Sequence, residues 1–129
     1  MSDTPHYDRL GGEQKIRELV DRFYELMDAR EDTQPLRQMH AKDLRVSRDK
    51  LFMFLSGWLG GPQLYIEKYG HPRLRQRHMP FEVDSAARDQ WMGCMVQAME
   101  DVGIEEGMRK ELEAAFFKTA DFMRNQPEA

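Results

Sequence analysis

The sequence predicts an all-α domain, and three observations carry that prediction. Four segments place apolar residues at helical spacing, glycines stand where those segments stop, and no stretch alternates apolar and polar residues between hairpin turns.

The first strong segment spans 13–29, where Ile16, Leu19, Val20, Phe23 and Met27 form one apolar stripe after Gly11 and Gly12. Ser47 is a suitable N-cap for a second helix, in which Leu51, Phe54, Leu55, Trp58 and Leu59 keep the spacing until Gly60-Gly61-Pro62 ends it. Asp84 or Ser85 can open a third, with Trp91, Met95, Ala98, Met99 and Val102 as its stripe and Gly103 at its C-terminal end. A fourth runs from about Glu105 to Arg124 on Met108, Leu112, Ala115, Phe116, Thr119, Phe122 and Met123. The 129 residues are expected to form a single domain, with 1–12 as an N-terminal extension and short helix and 125–129 as a frayed tail.

Composition removes several classes of function. A net charge of −4 lacks the broad basic face that nucleic acids and anionic membranes require, although a local cationic pocket remains open. Neither a membrane-length apolar run nor the charged-then-apolar layout of a secretory signal is present, so a cytoplasmic protein is expected. Cys94 is the only cysteine, which excludes an intramolecular disulfide or a cysteine-cluster zinc site and reads as a buried thiol.

Residues 60–83 break the helical pattern. So long a connection inside a compact domain is usually functional, and this one contains GHPRLRQRHMPF at 70–81. His78, beside Met79, Pro80 and Phe81, could bind a metal through one ring nitrogen while the other donates to a carbonyl; the alternative is a hydrogen-bonded structural histidine. No second histidine stands three or four residues from it, and Glu82, four residues on, lies beyond Pro80 and cannot by itself complete a helical zinc or di-iron set. A single protein ligand suits a metal that brings its own equatorial ligands, as in haem b (iron protoporphyrin IX). The two propionates of that group require cations, which Arg73, Arg75 and Arg77 could supply, and its faces require apolar walls. A solvated basic loop is the competing reading.

The ordered set FYELM at 23–27, FLSGWLGGPQLY at 54–65, YGHPRLRQRHMPF at 69–81 and RDQW at 88–91 resembles the group II truncated haemoglobins. The similarity extends from YDRLGG at 7–12 through the last helix. The resemblance implies a globin-like fold, a truncated two-on-two α-helical sandwich enclosing one haem, with His78 as the metal ligand. It also implies that Tyr24 and Trp91 are distal donors, each contributing about 1–3 kcal/mol to a partly negative ligand and slowing oxygen release. Without it, both would read as core aromatics. Leu51 and Phe54 would face the haem from the second helix, with Ser47 leaving a side entrance. Trp58, Leu59, Tyr65, Met79 and Phe81 would form walls, and Tyr65, His71, Arg73 and Arg77 would meet the propionates.

His40, in MHAKDL at 39–44, departs from the family pattern, in which tyrosine is common at that position. Three roles stay open for it: a third distal donor, a sixth iron ligand, or a surface residue of a mobile corner. His6 is expected to be solvated. The function expected from this set is reversible binding of O2 and of CO or NO, for carriage, storage or scavenging, by a monomer or weak dimer. The enzymatic alternative is nitric oxide dioxygenase or peroxidase-like detoxification, which would need a reductase. A haem-free helical module binding anions through residues 71–77 is a third reading.

Overall fold

A computed structural model describes residues 5–126. Its elements are α1 (His6–Leu10), α2 (Glu13–Ala29), a 3-10 turn (Glu31–Thr33), α3 (Gln34–Gln38), α4 (Arg45–Trp58), α5 (Leu64–Tyr69), α6 (Leu74–His78), α7 (Ser85–Asp101) and α8 (Glu106–Phe122). There is no strand among the described residues.

Four long helices close into a ring around the core. Helix α2 packs against α4 and α7, α7 packs against α8, and the Trp58 ring of α4 stacks on Phe116 of α8 at 4.8 Å. The predicted stripe of α2 is buried, and Tyr24 and Leu26 are buried beside it because two neighbours cover a wider arc than one. Helix α7 is covered from both sides, so Met92 and Cys94 join Met95, Ala98 and Met99 inside. Phe23 is wholly buried between the rings of Tyr24 and Trp91, where truncation to alanine would cost about 3–5 kcal/mol.

The glycines end helices by a specific hydrogen-bond pattern. After α4, Gly61 N–H donates to Ser56 O at 2.8 Å and Gly60 N–H to Gly57 O at 3.0 Å, with Gly60 at φ +95°. After α7, Ile104 N–H donates to Met99 O and Gly103 N–H to Glu100 O, both at 3.0 Å, with Gly103 at φ +81°. In both turns the left-handed residue lets two otherwise orphaned carbonyls be satisfied. Gly61 has a further reason to be glycine: a Cβ there would lie 2.2 Å from Tyr7 Cδ2. Tyr7 N–H in turn donates to Leu59 O at 2.8 Å, so α1 is seated on this turn.

Several expectations need correction. Ser47 does not cap α4, which starts at Arg45; the Asp43 carboxylate accepts the Arg45 N–H at 3.0 Å instead. Residues 60–83 are not irregular throughout, since α5 and α6 form within them as helices too short to show periodicity. Phe122 leaves the α8 stripe and is 63% exposed. Asn125 is not frayed, because its side chain and backbone hold four hydrogen bonds to residues 78–83; residues 127–129 lie outside the described residues. His6 is not simply solvated, with Nε2 lying 3.5 Å from Glu111 Oε2.

Candidate functional site

His78 is the last residue of α6, a helix that begins at Leu74 just after Arg73, whose φ of +46° turns the chain into it. Its Nδ1 lies 2.6 Å from Leu74 O, one turn back on the same helix. A carbonyl only accepts, so Nδ1 carries the proton, and Nε2 of the neutral ring is left with a free lone pair. A backbone-carbonyl contact of this kind is expected both of a metal-binding histidine and of a hydrogen-bonded structural one, and the other nitrogen is chemically a metal donor.

A cavity of about 620 Å³ opens beside α6, within the size range of ligand pockets. Phe54 and Trp58 of α4 line one side, His71, Arg73 and Leu74 another, and Lys118 and Phe122 of α8 a third. Most arginines of the molecule are matched by carboxylates, as in Arg17–Asp49, Arg22–Asp101 and Arg88–Asp121. Arg73, Arg77 and Lys118 join no ion pair among the described residues. Arg77 uses Nε on Pro72 O at 2.7 Å and lies over the Tyr65 ring at 5.8 Å, which leaves its other nitrogens uncommitted. His71 Nδ1 accepts the Arg73 N–H at 3.1 Å, so the proton of its neutral ring is on Nε2.

The second cluster is buried and lies between α2, α4 and the corner after α3. Tyr24 is 5% exposed, and burial pushes its phenol well above the usual value, so it stays a neutral O–H donor; its hydroxyl reaches Ser47 O at 3.4 Å. His40 packs edge-on against Tyr24, with ring centroids 5.9 Å apart, and its Nδ1 lies 3.0 Å from Leu36 O. That corner is tied to α7, where Gln90 Oε1 accepts the Leu36 N–H at 3.1 Å. The half-buried, hydrogen-bonded ring contradicts the surface alternative for His40. Burial lowers its pKa, the Leu36 bond opposes this, and the charge of Arg37 lowers it further. His40 Nε2 is therefore an acceptor in the neutral ring, which also removes the simple picture of a third donor. Trp91 touches Phe23 and Phe116, and its indole N–H has no hydrogen-bond partner among the described residues.

The two clusters share no residue: His78 is anchored on the cavity-wall residue Leu74 but does not itself line the cavity, and neither do Tyr24, His40 or Trp91. Not every expected wall residue is there. Leu59 is 2% exposed in the core and does not line the cavity, because α1 covers it. Leu51 is half-buried, Tyr65 is buried against Phe54, and Met79 and Phe81 are 54% and 43% exposed. Sequence spacing gave no sign of Lys118, four residues before Phe122, whose place on the cavity depends on how α8 crosses α6.

A profile of the family described as bacterial-like globin matches residues 5–125. The chain belongs to that globin family. Within it the globin is similar to a group 2 truncated hemoglobin of Bacillus subtilis, 41% identical over 118 residues that cover 92% of this chain and 87% of that protein. Its structure is similar to a cold-adapted truncated hemoglobin from the Antarctic marine bacterium Pseudoalteromonas haloplanktis, with a TM-score of 0.93 at 43% identity, covering 96% of this chain and 100% of that one. A structure described as a truncated oxygen-avid haemoglobin from Bacillus subtilis is similar at a TM-score of 0.86 and 38% identity, covering 95% and 100%. The fold is thus a truncated two-on-two globin of group II, and the family is one of haem proteins that bind diatomic ligands.

The residues of this globin fit that cofactor. One imidazole is held with a free Nε2 lone pair, two cations that join no ion pair, Arg73 and Lys118, stand at the cavity beside an Asp121 already paired with Arg88 and Arg124, and aromatic side chains form part of its wall. No group of three or more histidine, cysteine or carboxylate side chains could hold a bare metal ion among the described residues. No helix of these residues is long and apolar enough to cross a membrane.

Proposed function

We propose that this globin reversibly binds O2, and also CO and NO, at haem b whose iron is held by His78 Nε2. Haem, when bound, supplies an iron with an open coordination position that takes such ligands. The observation that carries the reading is the His78 Nδ1 contact with Leu74 O, which fixes the tautomer and aims the basicity of the ring at Nε2. Arg73, Arg77 and Lys118, with His71 and Tyr65 near them, would hold the propionates by charge-assisted bonds. Leu51, Phe54, Trp58, Met79 and Phe81 would supply the apolar walls.

On the other side, Tyr24 keeps a neutral O–H whose bond to Ser47 O is long enough to be given up, and the Trp91 N–H is uncommitted. Both would donate to a ligand that gains negative charge. Neutral His40 offers Nε2 as an acceptor, which suits either orienting the Tyr24 hydroxyl or serving as a sixth iron ligand. The relative described as oxygen-avid supports oxygen as the ligand. We place the protein in the cytoplasm, as a monomer or weak dimer.

Two measurements test this reading. His78→Gly should retain hemin poorly, with loss of the intense haem absorption band, and retention unchanged from wild type would end the assignment. Tyr24→Phe and Trp91→Phe should each release oxygen faster, by about ten-fold or more, since a bond to a charged acceptor contributes about 1.5–3 kcal/mol. The same two donors would serve nitric oxide or peroxide detoxification, with a reductase to return the iron to the ferrous state. Rapid consumption of NO by the oxygenated protein in stopped flow would favour that activity over carriage.

A further inference from the structure

Asn125 stands 47 residues beyond His78 in the chain, just past the last helix, yet it is hydrogen-bonded to the segment that leaves His78. Its Nδ2 donates to His78 O at 3.2 Å and to Phe81 O at 2.8 Å. Its Oδ1 accepts the Val83 N–H at 2.9 Å, and its own backbone N–H donates to Val83 O at 2.9 Å. A primary amide has two N–H bonds to give and one carbonyl to receive with, and here both N–H groups and the carbonyl are in use. The His78 carbonyl accepts a second bond, from Phe81 N–H at 3.0 Å, so the turn after α6 is closed on itself and clasped from α8.

The surroundings hold the clasp in place. Met123 packs with Val83 and Ala87 in a small apolar cluster that also touches Leu74, the residue whose carbonyl fixes the His78 ring. One residue further on, the Asp84 carboxylate caps α7 by accepting the Ala87 N–H at 2.8 Å. The end of α8, the end of α6 and the start of α7 therefore meet at this turn.

We infer that Asn125 is a positioning residue for His78, fixing the end of α6 so that the imidazole is held in one orientation. The inference rests on the proposal that His78 binds haem iron. Asn125 touches neither cofactor nor ligand and acts only through the His78–Val83 backbone. A side chain with an acceptor but no donor cannot do the same: aspartate would keep the Val83 bond and set a carboxylate against the carbonyls of His78 and Phe81.

The test compares wild type, Asn125→Ala, Asn125→Asp and His78→Gly, each loaded with hemin. In the reduced, ligand-free state, resonance Raman spectra of both Asn125 variants should show the iron–histidine stretching band shifted or broadened. Hemin transfer to an apo-myoglobin acceptor should be roughly ten-fold faster, the scale of losing a hydrogen bond that holds the iron ligand's backbone. A variant that melts earlier but keeps the wild-type band and hemin-loss rate would overturn the inference, since the clasp would then serve the fold alone. Aspartate matching wild type in the band would overturn it as well, because donation to the two carbonyls is the property at issue. If His78→Gly holds hemin as wild type does, the iron-ligand reading itself has failed. If it loses hemin while the Asn125 variants behave normally, only the role of Asn125 falls.

Discussion

At the residue scale, His40 is the side chain whose chemistry depends most on its surroundings. It is half-buried, packed on Tyr24, and lowered from its ordinary pKa of 6.5 by burial first of all. The unfolded chain takes up this proton near the ordinary value, while the folded chain resists it. Between those two values the unfolded state binds more protons, so the His40 contribution to stability is complete above about pH 6.5 and is lost as pH falls toward the folded value. Urea unfolding of the haem-free protein from about pH 7.5 to 5 should therefore show a steeper loss of stability for wild type than for His40→Gln. Equal slopes would mean that burial of this imidazole does not bear on folding. Only part of this was legible in the sequence. His78 announced itself through neighbouring arginines and an apolar seal, which are local signals. His40 carried no such signal, because the Tyr24 ring and the Leu36 carbonyl reach it through a turn of the chain that spacing does not encode.

At the scale of elements, boundaries were readable wherever a backbone conformation demanded a residue type. Gly60 and Gly103 end α4 and α7 in the left-handed region, and Asp84 opens α7 with its side chain. Ser47 misled because a good capping residue lay inside the first turn, while Asp43 two residues before the helix did the work of accepting the Arg45 N–H. Gly61 illustrates a second kind of demand, since it is required by the Tyr7 ring rather than by its own dihedral angles. Gly61→Ala should lower stability by about 1–3 kcal/mol, the usual penalty for overpacking, with a matching drop in melting temperature. Combining it with Tyr7→Ala should give less than the sum of the two single losses, since the clash partner is gone. Strict additivity would show that the contact between α1 and the turn is not the source of the penalty.

At the scale of the whole molecule, charge is distributed unevenly for a reason that net charge hides. The chain is acidic at −4, and ion pairs absorb most of its arginines, yet Arg73 and Lys118 at the cavity, and Arg77 on the same short helix as His78, join no ion pair among the described residues. Substituting Arg73 or Arg77 by alanine should leave the melting temperature of the haem-free protein nearly unchanged. Hemin loss should rise by about 2- to 5-fold for each, the scale of an exposed ion pair, and the effect should shrink in high salt. A large fall in apoprotein stability with no change in hemin loss would assign these side chains to the fold instead.

The sequence by itself determined the four long helices, their glycine stops and the cationic segment that ends in His78, because hydrophobic period, backbone conformation and local charge are properties of neighbouring residues. Tertiary structure alone decided that α1 covers Leu59, that Phe122 faces the cavity instead of the core, that Lys118 joins the arginines, and that Asn125 clasps the turn after His78. Those outcomes depend on how helices cross. Crossing is set by the summed packing of several faces, so it brings together side chains 40 or more residues apart with no trace in local spacing.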